Sequence, residues 1–208
     1  MRLQIAADYA SCLDWKVASR PLPGQRTSGD LHLVEEWPDG ALVAVVDGVG
    51  HGEEAAFAAR RATDTLRAHC HDPLVALFGR CHRAMRGTRG AVMSVALFDV
   101  GRARMSWLGV GNVEGVLLRA SERTVVCDSL LLRAGALGQG HELPTLGVSE
   151  VAVVPGDVLI FATDGIRPDF APILKLGAPT RRLADWILAE YARDTDDGLV
   201  LVARYRGP

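Results

Sequence analysis

Lysine is almost missing from this chain. Of its 23 basic residues only Lys16 and Lys175 are lysines, and 25 acidic residues bring the formal net charge to -2. A balance so close to neutral gives no electrostatic footing for a nucleic acid or an anionic membrane surface. No stretch reaches the roughly 18 apolar residues that a membrane-spanning helix needs, and MRLQIAADYA at the N-terminus lacks the apolar core of a signal peptide. Cysteine is scarce and scattered. Cys12, Cys70, Cys81 and Cys127 include no CxxC pair, which argues against a disulfide framework and against the close ligand spacing of a zinc site. The expectation is four reduced thiols in a cytoplasmic protein. With 49% hydrophobic and 23% charged residues the chain is no disordered segment. No repeat, low-complexity tract or linker divides it, so residues 1–208 are expected to form one domain.

What is present is a succession of short apolar segments bounded by Gly, Pro, Asp or Asn. Strands are expected at Leu3–Tyr9, Leu31–Trp37, Ala41–Val46, Ala91–Asp99, Arg104–Val110, Val113–Arg119, Thr124–Leu130, Val158–Ala162 and Leu199–Tyr205. Gly101-Arg102 reads as a hairpin connection, and Gly111-Asn112 as a second tight turn. Helical spacing predicts Glu53–His69, with Ala55, Ala58, Ala62, Thr65 and Leu66 as a small-residue stripe, then Pro73–Arg86 and Arg181–Tyr191. Two helices between two groups of antiparallel strands, with a third before the last strand, argue for an α+β sandwich rather than alternating βαβ units.

The chemistry sits in aspartates at strand ends. Asp47 closes Ala41–Val46 and runs into Gly48-Val49-Gly50-His51-Gly52. Asp164 follows Val158–Ala162 and precedes Gly165, Asp196-Asp197 stand before Leu199–Tyr205, and Asp30 stands before Leu31–Trp37. If the strands lie side by side in packed sheets, these carboxylates can converge, and a hard cation is then the natural balancing charge. Oxygen ligands without Cys or paired His favour Mg²⁺, Mn²⁺ or Ca²⁺ over zinc. An Asp-Gly pair taken alone is an ordinary turn former; Asp47 and Asp164 stand out because each follows a buried strand with no hairpin partner directly after it.

SGD at residues 28–30, VVDGVGHG at 45–52, LPTLGV at 143–148, FATDGI at 161–166 and DD at 196–197 occur in this order along the chain. Together they resemble the metal-dependent protein phosphatase (PPM) family, in the small bacterial regulatory branch that includes the RsbX and SpoIIE phosphatases. The GVGNVEG stretch at Gly109–Gly115 is most similar to the RsbX type. The resemblance implies a four-layer α/β/β/α sandwich of two antiparallel sheets flanked by helices, with two Mn²⁺ or Mg²⁺ ions at one end. It implies that Asp47 bridges both ions and that the Gly48 carbonyl binds one of them. Asp164 and Asp196 then complete the shell of the other. Asp30 serves the Gly48-side ion directly or through water, and Asp197 stands behind these ligands. The chemistry implied is attack by a metal-activated water in line at phosphorus, with no covalent phosphoenzyme. The implied partner is a protein phosphorylated on serine or threonine, a STAS-domain component of a bacterial stressosome. The family's phosphate-clamping arginine has Arg26 as its nearest counterpart here, and little room is left between Leu130 and Leu143 for the flap of larger members.

Other readings are weaker. Gly48, Gly50 and Gly52 have the wrong spacing for a dinucleotide fingerprint and no βαβ context. His51 is a candidate proton donor to the leaving alkoxide, because histidine titrates near neutral pH. The rival of a different class is a catalytically inactive phosphatase-like binding module. Retention of Asp47, Asp164 and Asp196 speaks against it.

Overall fold

The computed structural model describes residues 10–120, 127–174 and 177–208. Among the described residues the elements run β1 (Leu13–Arg20), β2 (Asp30–Trp37), β3 (Gly40–Gly48), α1 (Glu53–Ala68), α2 (Leu74–Ala84), β4 (Ala91–Asp99), β5 (Arg104–Val110), β6 (Glu114–Leu118), β7 (Cys127–Ser129), β8 (Leu132–Arg133), β9 (Ser149–Ala152) and β10 (Val158–Ala162). A 3₁₀ turn at Pro168–Ile173, α3 (Thr180–Tyr191) and β11 (Gly198–Tyr205) complete the chain. One sheet has the order β1-β11-β10-β6-β7. The other runs β2-β3-β4-β5-β8, with β9 paired to the same β5. All pairings are antiparallel except β5 with β8.

The layers follow from the two-residue period of a strand. Along β3, Ala41, Val43 and Val45 face a core shared with Leu159 and Phe161 of β10 and Leu199, Leu201 and Ala203 of β11. Leu42, Ala44 and Val46 face the other way, onto Ala59, Ala62 and Leu66 of α1 and Leu77, Phe78 and Cys81 of α2. Val158, Ile160 and Ala162 of β10 and Val200 and Val202 of β11 pack on Leu183, Ala184 and Ile187 of α3. Three apolar seams between four layers make the α/β/β/α sandwich. Because β3, β10 and β11 are covered on both faces, their sequences are nearly continuous apolar runs.

Several details depart from the sequence reading. β1 is an edge strand, with Leu13 buried and Trp15 and Lys16 exposed, so its polar sequence LDWKVASR carries no strand signal. The expected strand Leu3–Tyr9 and the first part of Thr124–Leu130 lie outside the described residues. The turn at Gly101-Arg102 does join β4 to β5. Gly111-Asn112 instead carries the chain from one sheet to the other, since β5 and β6 belong to different sheets. On α1 the buried stripe includes Thr63 rather than Thr65, and Thr63 Oγ1 donates to Ala59 O at 3.1 Å. All four cysteines are unpaired, and no helix among the described residues is long and apolar enough to cross a membrane.

Candidate active site

The antiparallel order brings the aspartate-bearing strand ends to one end of both sheets. Asp30, at the start of β2, is the direct cross-strand partner of Asp47 near the end of β3. In the other sheet Ala162 pairs with Val200, and Thr163 N donates to Leu199 O at 3.0 Å, so Asp164 and the Asp196-Asp197 pair flank the same edge. Thr163 Oγ1 donates to Asp30 Oδ2 at 2.8 Å, a contact that stitches the two sheets there. Thr163 also accepts from Leu199 N at 2.9 Å, and it is 1% exposed, so its hydroxyl is fully committed.

Two close approaches build this end. A Cβ on Gly48 would run into the Ala55 carbonyl in the first turn of α1, and a Cβ on Gly165 would run into Asp197 O. Glycine after each site aspartate is therefore a packing requirement as well as a turn preference. Gly48 N donates to Gly29 O at 3.1 Å, and Val49 N to Gly90 O at 3.0 Å, which ties the DGVG segment to its neighbours on both sides. Beside it Arg89 lies over Gly50 and pairs with Glu54 at 2.6 Å.

The carboxylates differ in their surroundings. Asp47 is half-buried and its side chain takes no hydrogen bond and no ion pair among the described residues. Burial first, then the charges of Asp30, Asp164, Asp196 and Asp197, push it up to about 9. Burial likewise raises Asp30 to about 7, against the pull of the Thr163 hydrogen bond and with the help of Asp197, Asp164 and Asp196. Asp164 is exposed and takes a hydrogen bond from Asn112 Nδ2 at 2.6 Å. It is raised by burial and by Asp196, and held down in part by Arg193 and by backbone N–H groups. Asp196 Oδ1 accepts from Asp197 N at 2.8 Å.

Asp197 is 2% exposed, and its two oxygens accept from Leu22 N and Gly29 N, each at 2.7 Å. It fixes the loop and the Gly29 turn that present Asp30. His51 is exposed, with Nδ1 3.0 Å from Gln25 Nε2. Arg26 is exposed on the loop before Asp30, with no hydrogen bond or ion pair among the described residues. Thr163 and Asn112 lie within FATDGI and GVGNVEG without being singled out there: Thr163 gains its role when the two sheets meet, and Asn112 when β6 pairs with β10 in a register that leads it to Asp164.

Among the described residues, no group of three or more His, Cys, Asp or Glu side chains is arranged to hold a metal ion by itself. The donor chemistry nevertheless fits a hard divalent cation. The donors are all oxygens, the carboxylates raise one another's pKa, and Asp47 has no donor to compensate it.

Comparison with known proteins agrees with this fold. The family model described as stage II sporulation protein E (SpoIIE) matches residues 38–169. Phosphoserine phosphatase RsbX of Bacillus subtilis (strain 168) is 23% identical over 180 residues, which is 86% of this chain and 87% of that protein. A chain from structural work on the bacterial stressosome as a modular system adapted to control secondary messenger signalling superposes with a TM-score of 0.84 at 31% identity, covering 92% of this chain and 99% of the other. A crystal structure of RsbX in complex with magnesium gives a TM-score of 0.81 at 21% identity over 93% of this chain and 95% of that one. The chain belongs to the SpoIIE family, within the branch of metal-dependent protein phosphatases that its motifs resemble.

Proposed function

We propose that this protein is a Mn²⁺- or Mg²⁺-dependent phosphoprotein phosphatase acting on phosphoserine or phosphothreonine of a bacterial stress-signalling protein, a STAS-domain component of a stressosome. The observation that carries the reading is the mutually repelling carboxylate set at one sheet end, centred on an Asp47 with no hydrogen-bond donor. Support comes from the phosphoserine phosphatase RsbX, from the stressosome-related structure, and from the magnesium in the RsbX crystal structure.

Asp47, the Gly48 carbonyl and Asp30 would hold one ion, and Asp47, Asp164 and Asp196 the other. Divalent cations, when bound, supply charge compensation at a phosphoryl group and lower the pKa of water. The chain's own part is positional. Thr163 fixes Asp30, Asn112 fixes Asp164, and Asp197 locks the loop behind Asp30, so the ligands are presented from rigid strand ends. The exposed Asp164 marks the side from which a phosphorylated side chain enters. His51 is the chain's candidate to return a proton to the departing alkoxide. Gln25 Nε2 lies 3.0 Å from its Nδ1 and orients the ring.

The inactive binding-module reading finds no support in a site that keeps all of these carboxylates. Asp47→Asn and Asp164→Asn should each abolish hydrolysis of p-nitrophenyl phosphate under Mn²⁺-replete conditions while far-UV circular dichroism is unchanged. Near-normal turnover in either variant rejects the assignment.

A further inference from the structure

Arg133 is a half-buried cation with no counter-charge among the described residues. It ends β8, where it pairs in parallel with Val110, and its Nε is buried without a hydrogen-bond partner. Its guanidinium makes no ion pair and no hydrogen bond among the described residues. The other half-buried arginines all reach an acceptor: Arg20 on Asp194 at 2.8 Å, Arg80 on Asp72 at 2.7 Å, Arg119 on Asp157 at 3.3 Å and Arg204 on Ala178 O at 2.7 Å. A partly desolvated charge left unpaired is unfavourable, and an acceptor brought from outside relieves it.

The surroundings of Arg133 have the make-up of an interface. Its guanidinium lies against Gly147, where a Cβ would come within 2.9 Å of Nε and 3.0 Å of Nη2. A Cβ on Gly135 would meet Pro144 at 3.2 Å, so the stretch after β7 and the LPTLGV segment lie on each other. Three large apolar side chains are exposed here: Leu131 at 62%, Val148 at 46% and Leu143 at 38%. Arginine is enriched at the energetic centre of protein interfaces, and the exposed aliphatic side chains beside it offer apolar area to bury. The surface also borders the candidate site, because Arg133 O accepts from Gly111 N at 2.8 Å and the next residue, Asn112, holds Asp164.

We propose that this 131–148 surface docks the phosphoprotein substrate, which sets one of its own carboxylates on Arg133 and apolar side chains on Leu131 and Val148 while its phosphorylated residue enters beside Asp164. The proposal rests on the phosphatase reading above. Its occupant follows from charge complementarity to an uncompensated cation and from continuity with the site.

The test compares kcat/KM on a serine-phosphorylated STAS-domain protein with kcat/KM on p-nitrophenyl phosphate, for wild type, Arg133→Glu, Arg133→Lys and Leu131→Asp. Arg133→Glu should lower the phosphoprotein value at least tenfold and leave the small substrate within twofold. Arg133→Lys should retain most of the phosphoprotein activity, and raising NaCl to 0.5 M should shrink the gap between wild type and Arg133→Glu. Leu131 is well exposed, so Leu131→Asp does not disturb the core and should lower the phosphoprotein value severalfold on its own. Phosphoprotein turnover at wild-type level in both Arg133→Glu and Leu131→Asp overturns the proposal, as does a parallel fall on both substrates. A wild type that hydrolyses neither substrate rejects the phosphatase reading itself, and the docking proposal with it.

Discussion

Without its cations the protein should lose stability as pH rises from 7 to 8. The cause is Asp47, pushed from 3.8 up to about 9 by burial and by four neighbouring carboxylates, with Asp30 raised to about 7 alongside it. In this window the folded chain keeps a proton on Asp47 that the unfolded chain has already lost. The stability tied to that proton is fully present below pH 4, near the unfolded value, and is lost as pH climbs through the folded one. For a single retained proton the slope is about 1.4 kcal/mol per pH unit. Asp47 with a partly titrated Asp30 therefore accounts for roughly 1–2 kcal/mol between pH 7 and 8. His32 and the buried thiols Cys12 and Cys81 act outside the window. His32 is lowered by burial, so the stability it confers is lost only as pH falls below 6.5, its unperturbed value. Cys12 and Cys81, raised to about 11 and about 12 from 9.0, act above it. Urea unfolding in EDTA at pH 7.0, 7.5 and 8.0 measures the effect. At an m-value of about 2 kcal/mol/M, the midpoint should fall by roughly 0.5–1 M. Asp47→Asn should flatten the dependence, and saturating Mn²⁺ should remove it by replacing the proton with the ion. A metal-free wild type whose stability is flat or rising over this range refutes the reasoning.

Other changes probe the groups that support the site. Asp197→Ala leaves the Leu22 and Gly29 N–H groups without acceptors, and should cost about 2–4 kcal/mol in urea unfolding, less whatever relief of carboxylate repulsion offsets it. Thr163→Val removes the donor to Asp30 and the acceptor for Leu199 N–H. It should cost about 1–3 kcal/mol and raise the Mn²⁺ concentration for half-maximal activity severalfold; unchanged metal dependence would detach Thr163 from the site. Arg193 N donates to Gly165 O at 2.7 Å, and its charge acts on Asp164. Arg193→Ala should therefore raise KM for p-nitrophenyl phosphate severalfold, whereas Arg26→Ala should leave it within twofold; the opposite ranking would return the phosphate-gripping role to Arg26.

The sequence is most informative where burial is most complete. β10, covered by the inter-sheet core on one face and α3 on the other, spells VLIFA and has the expected boundaries, as do β4 and β5. β1 is silent because an edge strand with one half-covered face can carry Asp14, Lys16 and Arg20. β8 and β9 are too short to show any period. At Gly111-Asn112 the turn is legible from local chemistry, but which sheet receives the next strand is decided by packing many residues away. The site divides in the same way. Asp30, Asp47, Asp164 and Asp196 are legible as carboxylates at strand ends. Thr163 and Asn112 are not, since their contacts span 133 and 52 residues of sequence; the first depends on how the two sheets stack and the second on the pairing of β6 with β10. Arg133 is invisible for a further reason: an arginine in a sequence looks the same with or without an acceptor, and only the folded chain shows that its Nε has none.

The central claim, that this carboxylate end works through divalent cations on a phosphorylated protein, is tested most directly by phosphate release from a serine-phosphorylated STAS-domain protein before and after exhaustive chelation. Release should stop on chelation and return with Mn²⁺ or Mg²⁺ in the wild type, and should not return in Asp47→Asn. Release that continues undiminished in the chelated protein, or that the Asp47→Asn variant supports as well as wild type, would contradict it.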